Sequence, residues 1–349
     1  MGETVRMAQD RALATLDDAT FGPMTEPLRR DLLLHCYRFT GSLHDAEDLV
    51  QETLVKAWRG RAAYRGEAAL RTWLRRIATR ACLDALRRDP PRRTLPSATE
   101  QSAGDRMLWL EPLPDEILGD MASDPAATYE LRESVSLAFL VALQRLPPRQ
   151  RAVLILRDVL ALRASETAAS LDISVSGVNS LLHRARRTMS THYTPASALS
   201  PQDAQTAALL RRYIAAWEAN DIDALMATLK ADATLEMPPL PVASVGHPAI
   251  RTFLADGILD GSGDRWRGVT TEANGGPAVA LYQRDGDRYL FTGLQLLTVD
   301  GERIARVTAY MDESLAARFR LPDSLDPDLS RAVQTDDRLP DKFSKEPGE

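Results

Sequence analysis

The sequence predicts three domains: two all-α domains, the second with a helix-turn-helix, and a C-terminal α+β domain. Residues 26–92 and 129–191 carry apolar positions at helical spacing. Residues 204–320 begin with two helical segments and continue as short β-branched and aromatic runs separated by Asp-Gly turns, which is typical of an α+β domain. Proline, serine and aspartate are frequent in residues 93–128, which predicts a linker, and a shorter linker is expected at 192–203.

Composition indicates a soluble protein without a structural metal or a disulfide framework. Of the 349 residues 44% are hydrophobic, and no apolar run is long enough to span a membrane. Residues 1–25 lack the features of a secretory signal, and Cys36 and Cys82 are too few for a disulfide framework. We therefore expect a cytoplasmic protein that needs no cofactor. The proline-rich, charged tail 321–349 is predicted to be disordered.

Charge is distributed unevenly along the chain, whose net charge is −6. Residues 1–192 contain 27 lysines and arginines against 25 acids, whereas the remainder contains 16 against 24. The segment from Lys56 to Arg93 has twelve basic residues and three acids. Because DNA would meet a local patch and not the total charge, a nucleic-acid partner is compatible with this composition.

The segment 174–189 has the pattern of a DNA-recognition helix. Its apolar positions recur at helical spacing and are predicted to face the core: Val175, Val178, Leu182, Ala185 and Met189. The opposite side is polar and basic, without any acid, and the preceding residues 165–174 are predicted to form a short helix and a tight turn. Together they predict a helix-turn-helix. The alternative is an ordinary two-helix hairpin with a solvated face.

The first helical domain contains two helices with unusual exposed faces. Ser42–Asp45 resembles a capping box, and in the helix after it a second stripe beside the core positions mixes acidic, amide and apolar residues: Asp48, Gln51, Glu52, Val55 and Arg59. This stripe suits the helix of another protein, although a solvated charged face is the commoner origin of such a pattern. The next helix, from Leu70, has an arginine row that suits phosphate oxygens, and Tyr64 and Trp73 offer surface for an unstacked base.

Four segments of the helical domains, residues 45–58, 70–78, 146–154 and 178–186, resemble the extracytoplasmic-function group of sigma-70-type RNA polymerase sigma factors. The resemblance implies that 26–92 binds the polymerase clamp and the −10 promoter element, and that 129–191 reads the −35 element. The acidic residues of the linker (Glu111, Asp115, Glu116, Asp120 and Asp124) then fall in a segment that threads toward the active-site cleft of the polymerase.

The resemblance also implies three sets of contact residues. Core polymerase would be bound by Asp45, Asp48, Gln51, Glu52 and Val55. The −10 element would be bound by Tyr64, Arg71, Trp73, Arg75, Arg76 and Arg80. The −35 element would be bound by Ser176, Asn179, Ser180, His183, Arg184 and Arg187. The chain departs from the group in its additional 150 or so residues and in Asp172, which stands where the turn often has glycine.

The additional region resembles the SnoaL-like, nuclear-transport-factor-2-like fold, a cone of helices against a curved sheet. Residues 209–225 match the opening of that fold. The candidate residues of a cone pocket are Trp217, Met237, Trp266, Tyr282, Phe291 and Tyr310, all of which also suit an apolar core. Candidates for catalysis are Asp232, Glu236, His247, Asp256 and Tyr310, but no motif fixes them relative to one another. A regulatory domain that contacts the sigma domains is favoured over a ligand pocket or an enzyme.

We interpret the sequence as an alternative sigma factor that is not itself an enzyme and whose partners are core RNA polymerase and promoter DNA. It would be regulated by its C-terminal domain. One alternative is a one-component regulator with a DNA-binding helix-turn-helix and a small-molecule site in the cone. The other is an enzyme that its N-terminal half tethers to DNA.

Overall fold

The structure is a computed structural model that describes residues 17, 19–64, 66, 69–88, 110–119, 125–193, 204–238, 243–261 and 263–326. These residues form two compact units. The first contains the described residues up to 113 together with 125–193, and the second contains 114–119 and 204–326. The two predicted helical domains therefore belong to one unit.

The described part of the first helical domain contains the α-helices α1 (Phe21–Thr25), α2 (Arg29–Thr40), α3 (Leu43–Gly60) and α4 (Leu70–Arg88). Ser42 caps α3 as expected, because its Oγ accepts a hydrogen bond from the Asp45 backbone N–H at 3.0 Å. Phe21 is buried and packs edge-on against Trp58, with ring centroids 5.2 Å apart. The packed domain thus includes Phe21, which lies within the segment that was expected to be an N-terminal extension. Residues 1–16 lie outside the described part.

The second helical domain contains α5 (Pro125–Glu133), α6 (Leu137–Gln144), α7 (Pro148–Leu154), α8 (Ala164–Leu171) and α9 (Val175–His192), and a π-helical turn, Ile155–Val159, follows α7. The helix-turn-helix prediction is confirmed by α8 and α9. Asp172 adopts the left-handed conformation at φ 55°, and Ser174 caps α9 through its Oγ and the Gly177 N–H. One core assignment was wrong: Val175, in the first turn, is 44% exposed, while the other four apolar positions are buried.

Polar contacts join the two helical domains within the first unit. The Arg38 guanidinium, on α2, donates to Ser134 Oγ at 2.7 Å, and Gln144 Nε2 donates to the Arg38 carbonyl oxygen at 3.5 Å. Arg151, on α7, reaches back to the Phe39 carbonyl oxygen. Arg38 and Arg151 are both buried, so carbonyl and hydroxyl oxygens accept hydrogen bonds from these guanidinium groups in place of water, although the buried Arg151 Nε has no partner among the described residues.

The start of the described linker packs on the first helical domain. The Glu111 carboxylate accepts hydrogen bonds from the backbone N–H groups of Leu43 and His44, at 2.9 and 3.0 Å, in the first turn of α3. An acid at this position satisfies free N–H groups and interacts favourably with the helix dipole. Leu110 lies directly over Gly41, where φ is 69°, so that a side chain at position 41 would collide with it.

The second unit is the expected α+β domain. Its helices are α10 (Ala204–Glu218), α11 (Ile222–Thr228), α12 (Gly246–Ala255) and α13 (Leu315–Arg318). Its strands are β1 (Leu229–Glu236), β2 (Ala243–Val245), β3 (Trp266–Ala273), β4 (Gly276–Asp285), β5 (Arg288–Asp300), β6 (Arg303–Tyr310) and β7 (Ser324–Leu325). The sheet order is β2-β1-β6-β5-β4-β3, and β7 pairs with β5. Only the β1–β6 pair among these described strands is parallel. Helices α10, α11 and α12 share one apolar core with a single face of the sheet.

The tail was predicted to be disordered from residue 321, and this boundary is wrong. Leu321 and Leu325 are buried, and β7 pairs antiparallel with the start of β5. Ser324 and Leu325, between Pro322 and Pro327, thus add a short strand to the sheet. The rest of the predicted tail, 327–349, lies outside the described residues. Among the described helices, none is both long and apolar enough to cross a membrane.

Candidate nucleic-acid interface

The exposed side of α9 carries all six residues that were predicted to bind the −35 element. Ser176, Asn179, Ser180, His183, Arg184 and Arg187 are each exposed. Arg186, between them in sequence, forms a bidentate ion pair with Asp158, at 2.7 and 2.9 Å. This pair holds α9 to the turn after α7, while its neighbours remain accessible. The helix therefore presents cationic and hydrogen-bonding side chains, and no acid, on its exposed side.

The predicted polymerase-binding stripe of α3 is accessible along its length. Asp48 and Gln51 are exposed, and Val55 is 48% exposed, which is unusual for a large apolar side chain. Glu52 is half-buried and pairs with Lys56 at 2.6 Å and with Arg88 at 3.6 Å. Asp45, at the start of the stripe, is half-buried. An exposed valine beside acidic and amide groups gives an interface its apolar centre and a polar rim.

Some of the residues predicted to bind the −10 element are exposed to solvent, and others are in contact with side chains of the protein itself. Arg71, Arg76 and Arg80 are exposed, and Trp73 is half-buried. Tyr64 is only 6% exposed, because its ring packs against Trp73 with centroids 5.1 Å apart. Arg75 forms a bidentate ion pair with Asp31 of α2, including an Nε–Oδ2 distance of 2.8 Å. In this arrangement Tyr64 and Arg75 are thus committed to the protein, and three arginines are left to meet phosphates.

A buried polar cluster behind α4 was missed in the sequence. His35, on α2, is fully buried, with its Nε2 2.9 Å from Thr79 Oγ1. Burial, aided by the positive charges of Arg75 and Arg38, lowers the pKa of His35 to about 3. The sequence signal for this cluster is weak: Asp31 and His35 interrupt the apolar positions of α2 one helical turn apart.

The acidic linker is not a continuous free strand in the part of it that the structure describes. Glu111 is engaged at the start of α3, as described above. Asp115 Oδ1 accepts a hydrogen bond from the Gly275 N–H at 2.8 Å, and Glu116 pairs with Arg320 at 3.1 Å, so that both belong to the second unit. Asp120 and Asp124 lie outside the described residues. The three described acids therefore each have a structural partner.

The six residues proposed for a cone pocket do not come together. Trp217 and Trp266 pack edge-on, with centroids 5.4 Å apart, in the core between the helices and the sheet, and Met237 packs against that core. Tyr282, Phe291 and Tyr310 are also buried, but strand alternation puts them on the opposite face of the sheet. The single-pocket prediction is wrong, because sequence composition does not reveal which face of a strand a side chain occupies when both faces are buried.

Of the five candidate catalytic residues of the second unit, Tyr310 is buried in the sheet and the other four are exposed or half-buried. Asp232 and Asp256 are exposed, and Glu236 pairs with Arg306 at 3.6 Å. His247 is half-buried, with Nε2 3.3 Å from the Leu229 carbonyl oxygen. Among the described residues, no group of three or more His, Cys, Asp and Glu could hold a metal ion.

The buried polar pair of the cone core was not predicted. The Tyr213 hydroxyl donates to Gln295 Oε1 at 2.7 Å, and burial raises the pKa of Tyr213. Tyrosine and glutamine at these positions resemble ordinary helix and strand residues, so their pairing had no local signal.

Comparison with known proteins identifies the family. Residues 24–90 match the Sigma-70 region 2 family, 136–189 match Sigma-70, region 4, and 210–307 match the SnoaL-like domain. The chain is 47% identical over 316 residues to the ECF RNA polymerase sigma factor SigG of Mycobacterium tuberculosis, covering 87% of this chain and 85% of that protein. The chain belongs to the ECF family of RNA polymerase sigma factors. Membership implies a regulator of transcription.

This sigma factor also resembles a second mycobacterial sigma factor. It is 32% identical over 210 residues to the ECF RNA polymerase sigma factor SigJ of Mycobacterium tuberculosis, which covers 60% of this chain and 62% of that protein. The crystal structure of SigJ aligns with a TM-score of 0.55 and 22% identity over 86% of this chain and 99% of that one, which shows a shared fold. Region 2 corresponds to α2, α3 and α4, and region 4 corresponds to α6 through α9.

Proposed function

We propose that this sigma factor binds core RNA polymerase through the α3 stripe and directs it to a subset of promoters in the cytoplasm. The −35 element is read by the exposed side of α9, and the −10 element is contacted by the arginines of α4. The observation that carries the proposal is the accessibility of both surfaces: Val55, Asp48 and Gln51 are exposed on α3, and the six polar side chains of α9 are exposed on the helix-turn-helix.

Polymerase binding is tested by the double substitution Asp48→Arg with Gln51→Ala. Both side chains are exposed, so the fold does not depend on them, and reversal of one charge in an interface is expected to weaken binding at least tenfold. Affinity for core polymerase is measured with the labelled full chain. Glu130→Arg, an equally exposed charge reversal on α5, serves as the matched control. Normal binding by the folded double variant would remove the α3 stripe from the interface.

Promoter recognition is tested by His183→Ala and Arg187→Ala in the reconstituted holoenzyme. Loss of a base-edge contact is expected to cost about 1–3 kcal/mol at particular sequences. Loss of a phosphate contact weakens binding to all sequences alike. It also lowers the slope of log affinity against log salt concentration by about one, because one counterion fewer is released. If neither substitution changes promoter binding or transcription, α9 does not read the −35 element.

The C-terminal domain is proposed to regulate the activity of the sigma regions. Residues 114–118, part of the connector between regions 2 and 4, belong to the second unit, where Pro114 bridges to Ala273 and Asp115 accepts the hydrogen bond from Gly275. A domain that retains part of this connector and is tethered by a short linker at 192–203 acts at high effective concentration.

Removal of all residues after Ser200 tests this regulation. We expect the truncated protein to bind polymerase but to give an altered promoter output, increased if the domain inhibits and decreased if it organises the open complex. Transcription by both proteins is compared on one promoter over a range of salt and protein concentrations. Equal output throughout would refute the regulatory role. Polymerase-dependent initiation in the same assay also distinguishes a sigma factor from a one-component regulator, which binds its operator without core enzyme.

A further inference from the structure

Val175 is a partly exposed apolar side chain in the first turn of the recognition helix. It is 44% exposed, whereas the other valine of α9, Val178, is fully buried with Leu182 and Met189. The side chain therefore contributes little to the core of region 4. Burial in that core does not explain why an apolar residue stands at the first position of this helix.

Capping of the helix does not explain Val175 either. Ser174 is the N-cap residue, and its Oγ accepts the Gly177 N–H at 3.1 Å and lies 2.9 Å from Ser176 Oγ. The two serines on either side of Val175 thus stabilise the first turn with their hydroxyl groups. Val175 stands between them and takes no part in the capping hydrogen bonds.

The position of Val175 within a helix-turn-helix defines what it can meet. In this motif the N-terminal residues of the second helix contact base edges in the major groove. Asn179 lies one helical turn further along the same side, and His183 follows it after another turn. The side chains of α9 include Arg184 and Arg187 and no carboxylate, which fits a polyanion better than the surface of another protein.

The chemistry of the groove then selects one kind of contact for a valine. Among the groups on the major-groove edges of the bases, the C5-methyl of thymine is the apolar one. We propose that Val175 contacts the C5-methyl group of a thymine in the −35 element and makes recognition of that position depend on the methyl group. This inference rests on the proposed −35 reading by α9 and adds a specificity residue to it.

The test first defines the −35 element and then removes single methyl groups from it. Holoenzyme of the full chain and core polymerase selects from duplexes with a randomised −35 region, which yields the preferred sequence. Each thymine of that sequence is then replaced by deoxyuridine, which lacks only the methyl group. At one position we expect deoxyuridine to weaken wild-type binding by about fourfold, the equivalent of one buried methyl group.

When Val175 is shortened to alanine, binding should no longer depend on the thymine methyl group at that position of the −35 element. With Val175→Ala we expect thymine and deoxyuridine at that position to bind equally, within twofold. Val245→Ala is the matched control, because this valine is 49% exposed on β2 in the second unit; its holoenzyme should retain the fourfold difference. Thermal unfolding of each variant verifies the fold.

The outcomes separate this inference from the proposed function. A selected −35 sequence in which no thymine shows methyl dependence, or one whose dependence survives Val175→Ala, overturns the role of Val175 and leaves −35 reading by α9 in place. A selection that yields no −35 preference overturns both. Loss of methyl dependence in Val175→Ala alone supports the assignment.

Discussion

Arg151 offers a test of how the first unit is held together. Its guanidinium is 1% exposed and donates to four oxygen atoms: the Phe39 carbonyl, Gln144 Oε1 at 2.6 Å, the Gln144 carbonyl at 2.9 Å and the Leu146 carbonyl at 3.3 Å. Burial lowers its pKa to about 10, so the group remains charged at neutral pH. Arg151→Met removes the charge and all four hydrogen bonds while it approximately preserves side-chain volume.

The expected loss of stability follows from these contacts. Each hydrogen bond stabilises the fold by about 0.5–1.5 kcal/mol net, which gives about 2–6 kcal/mol for four. The substitution also relieves the desolvation of a buried charge, and this relief offsets part of the loss. We therefore expect the free energy of unfolding of the first unit to fall by about 2–4 kcal/mol.

The only two cysteines of the chain provide an assay specific for this unit. Cys36 and Cys82 lie in α2 and α4, both are free and fully buried, and burial raises the pKa of the Cys82 thiol. Modification by a thiol reagent therefore requires the first unit to open. In low urea, the labelling rate of the full chain carrying Arg151→Met should rise by about 30- to 1,000-fold, the equivalent of 2–4 kcal/mol.

Arg149→Met is the matched control for this experiment. Arg149 lies on the same helix, α7, but is exposed, and its substitution should change stability by less than about 0.5 kcal/mol. Labelling rates of the Arg151 and Arg149 variants that agree within twofold would refute the argument, since the buried hydrogen bonds would then contribute nothing to the stability of the unit.

Three further predictions concern the first unit. His35 stays neutral when folded (pKa about 3) but is protonated below about pH 6.5 when unfolded, so stability should fall by about 1.4 kcal/mol per pH unit below pH 6.5. Urea titrations between pH 7 and pH 4.5 measure this slope, and His35→Asn should flatten it. Glu111→Ala should cost about 1 kcal/mol by thermal unfolding, because the N–H groups at the start of α3 lose their acceptor, whereas the exposed Glu47→Ala should cost less. Gly41→Ala should cost more than 1 kcal/mol, because φ is positive and Leu110 occupies the space of the new methyl group; an unchanged melting temperature would contradict this close packing.

Periodicity and short motifs were sufficient for the architecture of this chain. Helical spacing in both regions and the capping box at Ser42 predicted α3 and the helix-turn-helix, because caps and amphipathic stripes depend on residues within a few positions of one another. The exception in that stripe, Val175, shows the limit of periodicity at a helix terminus. No helical turn precedes Val175 to cover it, so a residue that is in phase with the apolar stripe can still be exposed at the start of the helix.

Faces of the buried sheet could not be predicted in the same way. Tyr282 and Phe291 pack edge-on with centroids 5.6 Å apart, but they lie on the opposite side of the sheet from Trp217 and Trp266. Both faces are apolar in β4 and β5, so the alternation that normally distinguishes inside from outside is absent. These strand pairs also contain register shifts. At each shift the alternation of side chains between the two faces is interrupted, so an even or odd position in the sequence no longer tells which face a residue occupies.

The contacts between the two helical domains were invisible in the sequence for a different reason. Arg38 and Ser134 are 96 residues apart, and Arg151 and Phe39 are 112 residues apart. The acceptor on Phe39 is a backbone carbonyl, which every residue possesses, so no side chain at that position identifies it as the partner of an arginine. In the sequence, arginines of this kind therefore look the same as the arginines of α4 that are proposed to bind DNA. Only burial distinguishes Arg151, which is fully enclosed, from Arg76 and Arg80, which remain free to meet phosphate oxygens.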